Sequence, residues 1–272
     1  MQVLITGGSG FLGEHLTRRV IADGAQRICI YSRGEHRQAD LRERMGNPSQ
    51  CRWLIGDVRD QARLERAMRG VDLVIHAAAL KRIEVGYQNP DEMVKTNVIG
   101  TMQVIDACAS AGVAKALFVS SDKAYQPCSP YGQSKALAES LFLTANNLHP
   151  SGPRYAVVRY GNIWCSTGSV VPIWRNTTNP TLTDPDCTRF YMTIKQAVEL
   201  VLTTAKTMTG GEMAIPDLPA YRLGDLAEAM RIKPTISGLP AWEKRHESMS
   251  STQCSADARR MTINELRDAL NG

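Results

Sequence analysis

A doubly wound α/β fold around a parallel sheet, followed by a small C-terminal substrate-binding lobe, is the architecture this sequence predicts. Three observations predict it. Short, nearly all-apolar runs alternate with longer amphipathic segments up to Tyr160, and strands apolar on both faces belong to parallel sheets covered by helices. The first run passes directly into a glycine-rich turn, "ITGGSGFLG", that opens a helix. After Tyr160 the alternation decays into Thr-, Pro- and Asn-rich sequence before one further helix.

The strands are expected at "QVLIT" (2–6), "RICIY" (27–31), "CRWLI" (51–55), "DLVIHAA" (72–78), "KALFVSS" (115–121) and "RYAVVRY" (154–160). Helices are expected between them at "FLGEHLTRRVIAD" (11–23), "QARLERAMR" (61–69) and "DEMVKTNVIGTMQVIDACAS" (91–110). A later helix over "TIKQAVELVLTTAKTM" carries Thr193 and Gln196 in capping-box spacing. The division that follows is a dinucleotide-binding domain over 1–162, to which 191–208 returns, and a substrate-binding lobe over 163–190 and 209–272. Such a lobe would cover the carboxyl ends of the strands, where open α/β sheets bind ligands.

Bulk properties narrow the function. The chain has 272 residues, 22% charged and 43% hydrophobic, enough for a full core. It runs from its first residue into a strand, and no apolar stretch approaches the roughly 20 residues that span a bilayer. The expectation is a soluble, cytoplasmic protein with no membrane contact. Seven cysteines (29, 51, 108, 128, 165, 187 and 254) are scattered without a CxxC pair or Cys/His cluster, which predicts reduced thiols and no metal. A net charge of +5 spread along the chain suits an anionic small molecule and lacks the basic runs of a nucleic-acid binder.

The glycine turn places Gly7, Gly10 and Gly13 between the first strand and the first helix. This Rossmann-type arrangement lets backbone approach a pyrophosphate that the helix amino-terminus attracts. Gly7, Ser9, Gly10, Phe11, Leu12 and Gly13 are therefore candidate cofactor contacts. An acid about 20 residues further on would bind the ribose 2′-hydroxyl of NAD. Instead "YSRGEHR" offers Ser32, Arg33 and Arg37, and a guanidinium suits the 2′-phosphate of NADP. Glu35 keeps NAD open. Asp57 and Val58 of "GDVRD" suit the edge and face of adenine. Ala77, Ala78 and Ala79 of "HAAAL" leave room for a nicotinamide ribose, with Lys81 and Asn97 as further candidates.

The segment "SSDKAYQPCSPYGQSK" (120–135) holds the chemistry. Tyr131 and Lys135 lie one helical turn apart. An ammonium beside the phenol would lower its pKa from near ~10 and make it a usable base. Lys135 can also hold the nicotinamide ribose. Ser121, Asp122 and Lys123 stand just ahead, at a strand end.

Taken together, "TGGSGFLG", "YSRGE", "HAAALKR", "NPDEMVKTN", "SSDKA", "SPYGQSKALAE", "VVRYGN", "GSVVP", "TRFYMT" and "GGEMAIP" resemble one family across nearly the whole chain. They are similar to the extended short-chain dehydrogenase/reductases, and within them to the soluble, C5-inverting UDP-N-acetylglucosamine 4,6-dehydratases of polysaccharide biosynthesis. That resemblance implies oxidation of a UDP-sugar at C4, with Tyr131 as base and Ser121 near O4. Lys123, neutral when it acts, would take the C5 proton, and protonated Asp122 would help the C6 hydroxyl leave as water. It also implies Lys81, Asn162, Val170, Arg189 and Lys244 as substrate contacts. Assembly into a homodimer or larger homo-oligomer would use the helices near 91–111 and 130–147. The chain departs from the family pattern at Trp164 and Cys165, which are expected to narrow the sugar site or change the preferred sugar. It departs again in the shortened wall after "GSVVP" and in "LPAWEKRHE", where relatives carry a "RPGEK"-like turn. A nucleotide-sugar 4-epimerase or 4-reductase, or a non-catalytic NADP-binding regulator, are the alternatives. Neither has a use for the Asp122–Lys123 pair.

Overall fold

The computed structural model describes residues 1–271; residue 272, the last of the expected lobe range, lies outside the described residues. In chain order the first half runs β1 (Gln2–Thr6), α1 (Phe11–Ala22), β2 (Arg27–Ser32), α2 (Glu35–Arg44), β3 (Cys51–Ile55), α3 (Gln61–Met68), β4 (Leu73–His76) and α4 (Ile83–Gln88). One long helical run follows: α5 (Pro90–Met93), a π-helical stretch (Val94–Ile99) and α6 (Gly100–Ala111). Then come β5 (Lys115–Val119), a 3-10 turn (Asp122–Ala124), α7 (Pro130–Leu148), β6 (Arg154–Val158) and α8 (Val170–Arg175). The chain ends through β7 (Thr181–Leu182), β8 (Thr188–Phe190), α9 (Ile194–Thr207), β9 (Met213–Ala214), β10 (Ala220–Arg222), α10 (Leu223–Ala229), β11 (Thr235–Ile236) and α11 (Ile263–Asn271).

The main sheet is ordered β3-β2-β1-β4-β5-β6-β9, and every pairing in it is parallel. The strand order reverses between β1 and β4. That switch point is where doubly wound sheets open a ligand crevice. All six expected strands form, and β9 adds a seventh beside β6. The expected lobe boundary at 209 therefore falls too early, because Met213 and Ala214 still pair with Val157 and Val158.

Both faces of the sheet are covered. Leu16 and Val20 of α1 pack with Val198 and Val201 of α9 over Ile5 and Ile30. On the other face Met68 of α3, Val104 of α6 and Phe142 of α7 cover Leu4 and Phe118. Each such side chain contributes about 1.5–3 kcal/mol of transfer free energy on burial. A third core, including Trp174, Tyr221, Leu226 and Leu266, holds the C-terminal lobe together. There β10 pairs antiparallel with β8, and β11 pairs parallel with β7. The capping box at Thr193 forms as its spacing predicts, opening α9.

Helix α2 is absent from the sequence-based expectation because it buries only Gln38 and Leu41 and shows no apolar stripe. Among the described residues no helix is long and apolar enough to cross a membrane.

Candidate active site

The crevice is built by close backbone approaches. Gly7 has φ +69°, and a Cβ there would lie 2.9 Å from Ala78 Cα, so the β1–α1 and β4–α4 turns touch along the crevice floor. At Gly13 a Cβ would meet the Gly8 carbonyl oxygen at 2.5 Å. Glycine at that position lets α1 settle onto its own turn. Helix α1 starts at Gly10 with no side-chain cap, so its first N–H groups face outward for an anion. Phe11 and Leu12 pack their side chains on the core and have only backbone to offer a phosphate. Ala77, Ala78 and Ala79 are half-buried beside them.

At the end of β2, Ser9 Oγ donates to Ser32 Oγ at 2.8 Å, and buried Gln38 Nε2 donates to the same oxygen at 2.9 Å. Ser32 accepts twice, which leaves its own proton free for a ligand. Arg33 and Arg37 are exposed. Burial pushes the Asp57 carboxyl up, but hydrogen bonds from Arg59 and the charges of Arg59 and Arg33 outweigh it and hold Asp57 below its usual range. Val58 is buried in the core, so any contact with a base must come through its backbone.

A hydrogen-bonded chain runs beneath the crevice. Thr6 Oγ1 meets His76 Nδ1 at 2.7 Å, His76 Nε2 meets Thr101 Oγ1 at 3.1 Å, and Thr101 donates to the Asn97 carbonyl at 2.6 Å. Because Thr101 donates onward, it must accept from His76, which assigns the proton to Nε2. Burial and then the charge of Lys135 bring His76 down to about 3, so it stays neutral. Asn97 does not reach the crevice, contrary to the expectation that it contacts cofactor. It is 1% exposed, and its amide bonds the Leu80 N–H at 2.8 Å, the Leu80 carbonyl at 2.9 Å and Ser134 Oγ at 2.9 Å. Sitting on the π-helical stretch, a feature common near functional sites, it ties the alanine turn to α7.

The catalytic candidates come together where β5 and β6 end. Ser120 N–H donates to the Val158 carbonyl at 2.8 Å and Asp122 N–H to the Tyr160 carbonyl at 3.0 Å, so the two chains stay aligned past their strands. Ser121 Oγ donates to Asp122 Oδ1 at 3.0 Å and favours ionisation of the Tyr131 phenol. Ser129 caps α7, which presents Tyr131. Gly161 passes so close that a Cβ there would lie 3.0 Å from Asp122 Oδ2.

Two expected pKa directions are reversed. Lys135 Nζ donates to the Val119 carbonyl at 2.6 Å and lies 3.8 Å over the Phe118 ring. Burial lowers it to about 7, with Glu139 opposing. Tyr131 is pushed up by burial, and the groups that pull it down are Lys123 and Ser121 rather than Lys135. Lys123 is not held neutral. Burial acts to lower it, but Asp122 and Glu247 together raise it above its ordinary value. Asp122 does shift in the expected sense, because its own burial raises it.

Glu247 is the residue sequence reasoning missed. It is 2% exposed and lies 3.3 Å from Lys123 Nζ and 2.9 Å from Lys244 Nζ. Burial opposes its ionisation, but Lys123, Arg189 and Lys244 hold it at about 2. Within "EKRHE" it reads as one more charge in a solvated run, and nothing in the local pattern marks it. Arg189 and Lys244 are correspondingly occupied. Arg189 pairs with Glu243 and donates to the Arg245 carbonyl at 3.0 Å, while Lys244 also reaches the Tyr125 carbonyl at 2.9 Å.

The other substrate candidates are more open. Lys81 is exposed and reaches the Thr167 carbonyl at 3.1 Å, Asn162 is exposed, and Val170 is half-buried at the start of α8. Trp164 does not narrow the site as expected. Its indole packs 5.1 Å from Tyr191 and 5.5 Å from Tyr221, and its N–H donates to the Ala269 carbonyl at 2.9 Å, inside the lobe core.

A family model described as polysaccharide biosynthesis protein matches residues 3–265. The chain is 40% identical over 259 residues to an inverting UDP-N-acetylglucosamine 4,6-dehydratase of Campylobacter jejuni, covering 92% of this chain and 77% of that protein. It is 36% identical over 271 residues to a UDP-glucose 4-epimerase of Rickettsia akari, covering 94% and 79%. Its fold superposes on Pen from Bacillus thuringiensis with a TM-score of 0.96 at 31% identity, covering 100% of this chain and 97% of that one.

Proposed function

The chain belongs to the polysaccharide biosynthesis protein family, and from that footing we propose that it is a hydro-lyase, an NADP-dependent dehydratase of UDP-N-acetylhexosamines. UDP-N-acetylglucosamine is the leading substrate, and the product is a 4-keto-6-deoxy sugar inverted at C5. The observation that carries this reading is the buried Ser121–Asp122–Lys123 turn set against Tyr131. An epimerase needs the tyrosine but not an acid beside a lysine.

The residues at hand suit each task. The uncapped start of α1, free-donor Ser32 and exposed Arg33 would hold the cofactor and its 2′-phosphate. NADP, when bound, supplies the hydride acceptor for C4 and the donor for C6. Tyr131, as the phenolate that burial opposes and the Lys123 charge favours, takes the C4 hydroxyl proton, Ser121 holds the neighbouring oxygen, and Lys135 steadies the ribose. Once C4 is a carbonyl the C5 proton is acidic, and Lys123, a cation at rest, removes it after passing its own proton to the Asp122 carboxylate 3.2 Å away. Asp122, carrying that proton in a form its burial favours, donates it to the departing C6 hydroxyl, which leaves as water. Lys81, Asn162 and Val170 line the sugar diphosphate. We read 1–162 with 191–214 as the cofactor domain and the remainder as the substrate lobe, working as a homo-oligomer in the cytoplasm.

A second reading, 4-epimerisation, is favoured by the 36% identity to a protein named as an epimerase. One experiment separates them. Purified protein is incubated with UDP-N-acetylglucosamine in deuterated water and followed by mass spectrometry and proton NMR. Loss of one water, a C6 methyl signal and deuterium at C5 are expected, and an Asp122→Asn variant should lose them while retaining NADP binding. An isomer of unchanged mass would establish the epimerase instead.

A further inference from the structure

We propose that Glu247, carried by the C-terminal segment, is the positioning residue that fixes the protonation state of Lys123 and so makes the acid–base step depend on that segment being docked. The meaning of Lys123 rests on the dehydratase reading; the arrangement itself is geometric. Lys123 Nζ sits between two carboxylates, 3.2 Å from Asp122 Oδ1 and 3.3 Å from Glu247 Oε1. The first contact is between chain neighbours. The second crosses from the Rossmann strands to the far end of the chain.

The backbone that carries Glu247 belongs to no helix or strand, yet it is pinned on both sides. Thr188 N–H donates to the Arg245 carbonyl at 2.9 Å, and Glu247 N–H donates to Ser255 Oγ at 2.9 Å. Ser255 N–H returns to the Glu247 carbonyl at 2.7 Å, and buried Arg159 Nη1 donates to the Met249 carbonyl at 2.6 Å. Arg159 is itself held by Glu139 at 2.5 Å. Such anchoring lets a carboxylate stay buried, at a desolvation cost that only close cations offset.

The charged and titratable groups around Lys123 come from every packed element. Asp122 belongs to the 3-10 turn, Tyr131 to α7, Arg189 to β8, Tyr221 to β10, and Glu247 with its partner Lys244 to the C-terminal segment. Of the two carboxylates, Asp122 is biased by its burial toward the neutral form. Glu247 has three cations facing it. The lasting negative charge beside Lys123 is therefore Glu247.

Lysine labelling tests this without any sugar substrate, because only a neutral amine reacts with acetic anhydride. Acetylation of Lys123 is measured at pH 8 by peptide mass spectrometry, relative to exposed Lys206. Glu247→Gln should raise that ratio at least about tenfold, the change that one pKa unit produces. Lys244→Met should lower it, since Glu247 then answers to one cation fewer. An unchanged ratio in Glu247→Gln overturns the proposal. So does a rise in both variants, because that would report a loosened segment exposing Lys123 rather than a change in charge. Should Glu247→Gln not fold, as judged by circular dichroism, a ratio that fails to drop in Lys244→Met decides against it. Wild-type protein that dehydrates no sugar nucleotide would refute the proposed function yet leave the labelling result standing.

Discussion

A Cβ placed on Gly132 would stand 2.3 Å from the carbonyl oxygen of Lys123. The first turn of α7, capped by Ser129 Oγ on the Gly132 N–H at 3.1 Å, thus rests directly on the turn that bears Asp122 and Lys123. The absence of a side chain there sets the spacing between that pair and Tyr131. Gly132→Ala must separate helix and turn. Overpacking of this kind costs about 1–3 kcal/mol, and displacement of reacting groups by about 1 Å costs roughly 100-fold in rate. We expect a modestly lowered melting temperature and at least that loss of kcat, measured by thermal denaturation and product formation.

Arg33 provides a test of cofactor choice. It is exposed at the end of β2, 3.7 Å from Asp57, whose carboxylate is already bonded by Arg59 at 2.8 Å. A charge-assisted contact to a 2′-phosphate is worth about 1.5–3 kcal/mol. Arg33→Ser should therefore weaken NADP binding about 10- to 100-fold and leave NAD binding nearly unchanged, as read by fluorescence titration with each dinucleotide.

His76 makes stability fall in mild acid. Its folded-state value of about 3 lies below the ~6.5 of an unfolded histidine. The folded protein therefore resists a proton that the unfolded chain accepts. This contribution is fully present above about pH 6.5 and is lost as pH falls from there toward 3. The melting temperature should decline progressively below pH 6.5. His76→Gln should melt lower than wild type at pH 7, yet show a shallower decline between pH 6.5 and 4.5.

Trp164 is expected to matter for the lobe rather than for substrate choice. Its N–H holds the Ala269 carbonyl, and its ring lies edge-on to Tyr221. Truncating a packed tryptophan typically costs about 3–5 kcal/mol. Trp164→Ala should lower the denaturation midpoint by that measure without changing NADP affinity. A large change in affinity with stability preserved would place Trp164 at the ligand instead.

Much of the cofactor half was legible in the residues. Apolar runs such as "QVLIT" and "DLVIHAA" marked strands because a buried parallel strand needs apolar side chains on both faces. Gly7 and Gly13 were recognisable because contacts of 2.9 Å and 2.5 Å leave no room for any other residue. Tyr131 and Lys135 were recognisable through helical spacing. Helix α2 was not, since a helix burying only two side chains leaves no periodic trace. Val58 and Asn97 resemble ligand contacts in the sequence because a polar or apolar residue near a glycine motif does not reveal whether it faces the crevice or the core.

By itself, then, the sequence determined six strands of the main sheet, the glycine turn, and the acid, lysine and tyrosine that are candidates for the chemistry. These are local matters of periodicity, backbone conformation and spacing. Only the tertiary structure decided how those groups are charged. Lys123 is held as a cation, Tyr131 is pushed upward and Lys135 downward, because a protonation state depends on burial and on charges that approach through space. The decisive one, Glu247, comes from the opposite end of the chain and lies 3.3 Å from Lys123, a distance that no local pattern encodes.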